Sequence, residues 1–106
     1  MENAADFFTA VPRRHNCAQA VAAANGASQE QIAALASCGG GRAPEGLCGA
    51  LYSAMTLAGA AKGDMIRKAF AMELGADTCR ALKAAGVPCL KCVETAERLL
   101  RGQTGN

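Results

Sequence analysis

The segment Ser37–Ser53, SCGGGRAPEGLCGALYS, decides the kind of fold that this chain can form. Two cysteines, Cys38 and Cys48, enclose a loop that contains three consecutive glycines, an arginine and a proline. After Cys48 the sequence becomes helical at once, so this thiol marks the beginning of a helix. The positions of the other cysteines relative to helix ends are therefore the first feature to establish.

The composition predicts one small domain, residues 1–106, with a weak hydrophobic core. Hydrophobic residues make up 51% of the chain, but alanine supplies about half of them and tryptophan is absent. Burial of apolar surface contributes only about 25 cal/mol per Å², so an alanine-rich core gains little from each contact. Such domains usually need a disulfide, a metal ion or a partner subunit. Six cysteines are present, and a homodimer is a further expectation.

Charge and hydropathy argue against several classes of protein. The net charge is +2 and no basic cluster occurs, so we expect no nucleic-acid partner. We expect no membrane insertion, since no run of about 20 apolar residues is present. The first eight residues are acidic and apolar, unlike a secretory signal, which favours a cytoplasmic chain. In a reducing compartment, cysteines favour metal or redox chemistry over structural disulfides.

The chain shows helical patterns throughout, and no segment alternates as a strand would. The predicted fold class is all-α, a small bundle of about five to seven short helices around a cysteine cluster. Caps, glycines and prolines place the helices at about residues 2–10, 17–24, 29–37, 47–61, 65–74, 79–85 and 88–101. Lys62-Gly63 is predicted to end the fourth helix, and Asp64 to cap the fifth.

Most of the cysteines lie where helices are predicted to begin. These are Cys17, Cys48, Cys79, Cys89 and Cys92, whereas Cys38 lies at a helix end. A helix N-terminus offers unpaired N–H groups and roughly half a positive charge, which lowers the pKa of a thiol. Thiolates around iron gain from such donors, and a neutral disulfide gains little. The placement therefore favours a metal site or reactive thiolates.

The glycine run offers a second candidate contact to an anionic centre. Gly39, Gly40 and Gly41 can turn their N–H groups toward one point, and Arg42 would add a positive charge at its edge. These residues are predicted to contact a bound cofactor. Alternatively, the glycines only connect two helices. A phosphate loop is not indicated, because no Gly-Lys-Ser/Thr sequence follows.

The order of these motifs resembles the C-GCAxxG-C-C family of redox-active proteins. The matching segments are Asn16-Cys17-Ala18-Gln19-Ala20-Val21, Gly39-Gly40-Gly41, Cys48-Gly49-Ala50, Cys79-Arg80-Ala81-Leu82, and Cys89 followed by Val93-Glu94-Thr95-Ala96-Glu97. The resemblance implies an all-helical fold with four characteristic cysteines, at positions 17, 48, 79 and 89 here. A similar domain in split-Soret cytochromes is thought to hold an iron–sulfur cluster, which implies a redox role.

This chain departs from the family pattern at three positions. Ser53 replaces a glycine, and Cys38 and Cys92 stand where relatives tend to have an aromatic residue. The two additional thiols are expected to extend the metal site, replace a ligand, form a redox pair or fill space as buried apolar groups. All six cysteines are therefore candidate metal ligands.

Three functions follow from the cysteine pattern. The first is an iron–sulfur redox protein, with a [2Fe–2S] or [4Fe–4S] cluster, that transfers electrons to a redox partner protein. The second is a thiol–disulfide redox protein that uses Cys89 and Cys92. The third is a zinc- or disulfide-stabilised interaction domain. Glu94 and Glu97 are expected on a solvated helix face, and Arg80 either balances the charge of a cluster or forms a surface salt bridge.

Overall fold

The structure, a computed structural model, describes residues 4–9, 15–38 and 44–103, and these residues form an all-α bundle. The helices are α1 Ala4–Thr9, α2 Cys17–Ala24, α3 Gln29–Ala34, α4 Gly49–Ala58, α5 Ala60–Leu74, α6 Cys79–Ala84 and α7 Cys89–Gln103. Short 3-10 turns follow α3 at Leu35–Cys38 and precede α4 at Pro44–Gly46. The predicted all-α class is confirmed, and no strand occurs in the described part of the chain.

Side-chain caps fix the beginnings of three helices at the predicted residues. Asn16 accepts the N–H of Gln19 at 2.8 Å, and the Gln19 side chain accepts the N–H of Asn16 at 3.1 Å. Ser28 and Gln31 form the same reciprocal capping box at α3. Thr78 accepts the N–H of Ala81 at 3.2 Å and begins α6. Each cap satisfies a backbone donor that the helix itself leaves unpaired.

The chain turns between α4 and α5 at Gly59, which corrects the predicted boundary. Gly59 adopts φ 90° and ψ 165°, a conformation that favours glycine. Lys62-Gly63 was predicted to end a helix and Asp64 to cap the next, but all three lie inside α5. Gly63 is instead buried against α4, where an added Cβ would lie 3.1 Å from the carbonyl oxygen of Met55.

Helix α4 is central to the bundle and packs against α2, α5 and α7. The largest fully buried side chains are Val21, Leu51, Ser53, Ile66, Phe70, Leu82 and Val93. Small alanines fill the remaining space, so the helices approach closely without many large side chains between them. Within the described residues, no helix is both long and apolar enough to cross a membrane.

Glu97 of α7 connects three parts of the bundle. Its Oε2 accepts hydrogen bonds from the Ala4 N–H at 2.9 Å and the Asn25 side chain at 3.0 Å, and it pairs with Arg101 at 3.2 Å. The side chain is buried, so the prediction of a solvated face is wrong for Glu97, whereas Glu94 is exposed as expected. A buried carboxylate needs such partners, since an unpaired buried charge is costly.

Candidate functional site: a thiol-lined cavity

Five of the six cysteines line one cavity at the end of the bundle where α2, α4, α6 and α7 begin. They are Cys17, Cys48, Cys79, Cys89 and Cys92. The cavity volume is about 30 Å³, enough for roughly two water molecules. Cys17, Cys79 and Cys89 are the first residues of α2, α6 and α7, and Cys48 immediately precedes α4. The prediction that these thiols lie at helix starts is confirmed.

A short backbone contact brings the beginnings of α4 and α6 side by side. The N–H of Cys48 donates to the carbonyl oxygen of Asp77 at 2.9 Å, and Leu47 forms an isolated antiparallel bridge with Thr78. The Asp77 carboxylate in turn accepts a hydrogen bond from Arg67 Nε of α5 at 2.9 Å. Because both helices start directly after this contact, Cys48 and Cys79 face the same cavity.

Gly49 allows α2 and α4 to approach closely at the cavity wall. A Cβ at this position would lie 2.5 Å from the Cys38 carbonyl oxygen and 2.9 Å from Cys17 Sγ. It would also lie 3.4 Å from the Cβ of Ala18. Normal carbon contacts are about 3.5–4.0 Å, so a side chain does not fit here. Gly49 therefore lets the Cys17 sulfur lie directly over the N-terminus of α4.

Burial raises the pKa of Cys17 from 9.0 to about 11, and the nearby sulfurs of Cys48 and Cys89 add to this increase. The N–H groups of Ala50 and Ala18, in the first turns of α4 and α2, donate to the Cys17 sulfur and oppose it. Without a cation the thiol therefore stays protonated at neutral pH. The same N–H groups would stabilise the thiolate once a metal ion replaced the proton.

Cys48 and Cys92 form a hydrogen-bonded thiol pair. This hydrogen bond, together with burial, raises the pKa of Cys48, and it lowers the pKa of Cys92 against the effects of burial and of the other cavity sulfurs. The N–H groups of Leu51 and Ala50 face the Cys48 sulfur and lower its pKa, which offsets part of this increase. Among the described residues, however, no side-chain cap hydrogen bond of normal geometry forms at Cys48. Loss of the proton from one thiol of the pair therefore disfavours loss of the other.

The thiols share a cavity but do not yet point at one centre. In residues 4–9, 15–38 and 44–103, no three His, Cys, Asp or Glu side chains are arranged to hold a metal ion as they stand. All six cysteines are free thiols. Rotation about the Cα–Cβ bond moves a cysteine sulfur between three staggered positions. To face one centre, at least some of these sulfurs would therefore have to change rotamer.

The other walls of the cavity are almost entirely apolar. Leu82 and Val87 lie on the α6 side, and Leu82 is buried. Lys83, one helical turn after Cys79, also lines the cavity and Arg80 does not, although both side chains are exposed to solvent. The sequence prediction considered Arg80, either as a charge that balances a cluster or as part of a surface salt bridge, and missed Lys83. The i to i+4 spacing from Cys79 to Lys83, which places both on one helix face, was the available signal.

Cys38, which was also predicted to be a site residue, does not line this cavity. Cys38 is buried at the end of the 3-10 turn and lines a second cavity beside α4, although its carbonyl oxygen contacts Gly49. Gly39, Gly40, Gly41 and Arg42, predicted to contact a cofactor, lie outside the described residues. Cys92, predicted to pair with Cys89, has Cys48 as its hydrogen-bonded partner.

Comparison of the chain with protein-family models, with curated proteins and with solved structures finds no match. The resemblance to the C-GCAxxG-C-C family therefore depends on the sequence motifs alone. The functional argument depends on the geometry of the thiol-lined cavity.

Proposed function

We propose that the protein is an iron–sulfur redox protein and that the thiol-lined cavity is its metal site. The observation that carries this proposal is that five cysteines from four separate helix beginnings line one small cavity. Soft thiolate ligands select iron–sulfur clusters or zinc over harder cations. The ligands come from widely separated segments, unlike the paired Cys-x-x-Cys ligands of most zinc modules.

The surroundings of the sulfurs support an anionic centre. N–H groups of two helix N-termini donate to Cys17, and Lys83, a solvent-exposed cation, is among the residues that line the cavity. Hydrogen bonds and charges of this kind stabilise thiolates bound to iron and help to set the potential. A volume of about 30 Å³ is smaller than a cluster requires, so we expect the thiols to turn and the helix ends to separate slightly on loading.

The residues have distinct roles in this proposal. Cys17, Cys48 and Cys79 would provide buried or half-buried thiolates, and each thiol that binds the metal would release its proton on loading. A bound cluster supplies one-electron transfer. Cys89 is exposed at the first turn of α7, which makes this turn the edge at which a redox partner protein would approach. The buried walls exclude water from the other side.

Anaerobic purification, with analysis of iron, sulfide and zinc and a visible absorption spectrum, tests the proposal. We expect iron and sulfide with a cysteine-dependent chromophore. Cys48→Ala should lose the chromophore and much of the helicity, because the metal site also joins α4, α6 and α7. Cys38→Ala is the matched control, since Cys38 is buried but does not line this cavity. Colourless protein with stoichiometric zinc would instead indicate a zinc-stabilised interaction domain.

A thiol–disulfide activity is the second candidate, favoured by the Cys48–Cys92 hydrogen bond. In such a reaction the two thiols would give two electrons and two protons to a disulfide of a partner protein and become a disulfide themselves. The lowered pKa of Cys92 makes it the attacking sulfur. Metal-free protein that forms one reducible Cys48–Cys92 disulfide would support this function. Loss of that disulfide in Cys92→Ser, but not in Cys89→Ser, would identify the pair.

A further inference from the structure

The thiol-lined cavity contains five cysteines, one more than a site made of thiolates usually needs. Structural zinc sites and iron–sulfur clusters are typically held by four protein ligands. A fifth thiolate would add another negative charge to an almost entirely apolar cavity, which is costly. Cys89 and Cys92 compete for the last position, because both belong to α7, whereas the other three thiols come from the beginnings of three different helices.

The position of Cys92 on α7 directs its side chain back toward the cavity. The N–H of Cys92 donates to the carbonyl oxygen of Pro88 at 3.2 Å, so Cys92 lies at the end of the first turn that Cys89 begins. In an α-helix the Cα–Cβ bond is tilted toward the helix N-terminus. The Cys92 side chain therefore extends toward the end of the bundle where the helices begin, and it is buried there. Cys89 has no earlier turn of α7 to cover it and is exposed.

The sulfur of Cys92 lies among the other thiols of the cavity. It is hydrogen-bonded to Cys48, and the sulfurs of Cys17, Cys79 and Cys89 lie near enough to raise its pKa. Two thiolates bound to one tetrahedral ion are about 3.8 Å apart, because each metal–sulfur bond is about 2.3 Å long. A direct contact between two sulfurs is therefore compatible with their binding the same ion.

We propose that Cys92, and not Cys89, completes the metal site with Cys17, Cys48 and Cys79. This inference rests on the proposed function, because it requires that the thiol-lined cavity holds a metal. The resemblance to the C-GCAxxG-C-C family implies Cys89 as the fourth ligand. In this chain the additional cysteine, Cys92, supplies that ligand from inside the bundle, and Cys89 remains a free thiol at the exposed first turn of α7.

Cadmium–proton correlation NMR of the wild-type protein loaded with Cd²⁺ alone identifies the ligands directly. The bound cadmium nucleus couples through bonds to the Hβ protons of each cysteine that binds it. We expect correlations to Cys17, Cys48, Cys79 and Cys92, and none to Cys89. A correlation to Cys89, a missing correlation to Cys92 or failure to bind Cd²⁺ would overturn the proposal.

Cys92→Ser and Cys89→Ser are a matched pair of variants on the same helix. We expect the cadmium resonance to shift in Cys92→Ser and to stay at the wild-type position in Cys89→Ser; a shift in Cys89→Ser alone would also overturn the proposal. The wild-type correlations decide the ligand set even if Cys92→Ser does not fold. Analysis of iron and sulfide tests the proposed function separately: protein that binds Cd²⁺ through Cys92 but takes up no iron and sulfide would keep this ligand set and lose the cluster.

Discussion

Replacement of Gly49 by alanine adds a single methyl group at the contact between α2 and α4. The added Cβ would lie 2.5 Å from the Cys38 carbonyl oxygen and 2.9 Å from Cys17 Sγ. The carbonyl oxygen belongs to the backbone and cannot rotate away, and neither contact reaches normal separation unless the 3-10 turn or α2 moves by about 1 Å. The methyl group therefore disturbs both the packing and the position of one cavity thiol.

Two opposing terms set the expected change in the free energy of unfolding. Overpacking of this kind typically costs about 1–3 kcal/mol. Alanine in a helix is more favourable than glycine by up to about 1 kcal/mol. Because the close contact involves backbone, we expect overpacking to dominate, with a net loss of about 1–2 kcal/mol for Gly49→Ala.

Gly102→Ala provides a matched control on α7. An added Cβ there meets no atom within 4 Å, and Gly102 lies in a regular helix. The free energy of unfolding of this variant should increase by up to about 1 kcal/mol, so the two alanine variants should change stability in opposite directions. Urea unfolding of the reduced proteins, all prepared in the same metal-loading state and followed by far-UV circular dichroism, measures both changes. If Gly49→Ala proved as stable as the parent, the described close approach of α2 and α4 would be refuted.

Three further predictions concern the core, a buried carboxylate and a half-buried thiol. Leu51→Ala should lose about 2–5 kcal/mol in urea unfolding, because Leu51 is 0% exposed, whereas Leu90→Ala, at a 36% exposed residue, should change little. Glu97→Gln should lower the free energy of unfolding by about 1–3 kcal/mol, because it weakens charge-assisted hydrogen bonds to α1 and α2. Glu94→Gln is the control at an exposed residue, and equal stability of the two variants would contradict the role of Glu97 in joining the helices. The pKa of Cys17 is about 11 in the folded protein, compared with 9.0 in the unfolded chain. Stability should therefore fall by about 2 kcal/mol as pH rises through that interval, and the fall should be smaller in Cys17→Ser; an unchanged slope would contradict this cause.

The helix beginnings could be predicted from sequence because local chemistry determines them. Asn16, Ser28 and Thr78 cap helices through hydrogen bonds to residues only three positions away. The sequence prediction placed the end of α4 at Lys62-Gly63 rather than at Gly59, because the local sequence does not distinguish the two glycines. Gly59 provides the turn, and Gly63 provides the close approach of two helices. Only the tertiary packing distinguishes these two uses of glycine.

The cysteine cavity was partly predictable for the same reason. Local capping signals placed the thiols at helix beginnings, but the contact of Cys48 with Asp77 that aligns α4 and α6 joins residues far apart in sequence. The Cys48–Cys92 hydrogen bond is also a tertiary contact, so the sequence favoured the nearer pair Cys89 and Cys92. Burial of Glu97 likewise depends on its contact with the Ala4 N–H.

The central claim is that thiols from separate helices bind one metal centre, and residue-resolved alkylation with and without metal tests it most directly. After anaerobic loading with iron and sulfide, brief treatment with iodoacetamide followed by peptide mass mapping gives the protection of each cysteine. The account predicts that Cys17, Cys48 and Cys79 become protected together, with the same metal dependence, and that Cys38 reacts equally in both states. Protection limited to Cys48 and Cys92, or no change at Cys17 and Cys79, would contradict it.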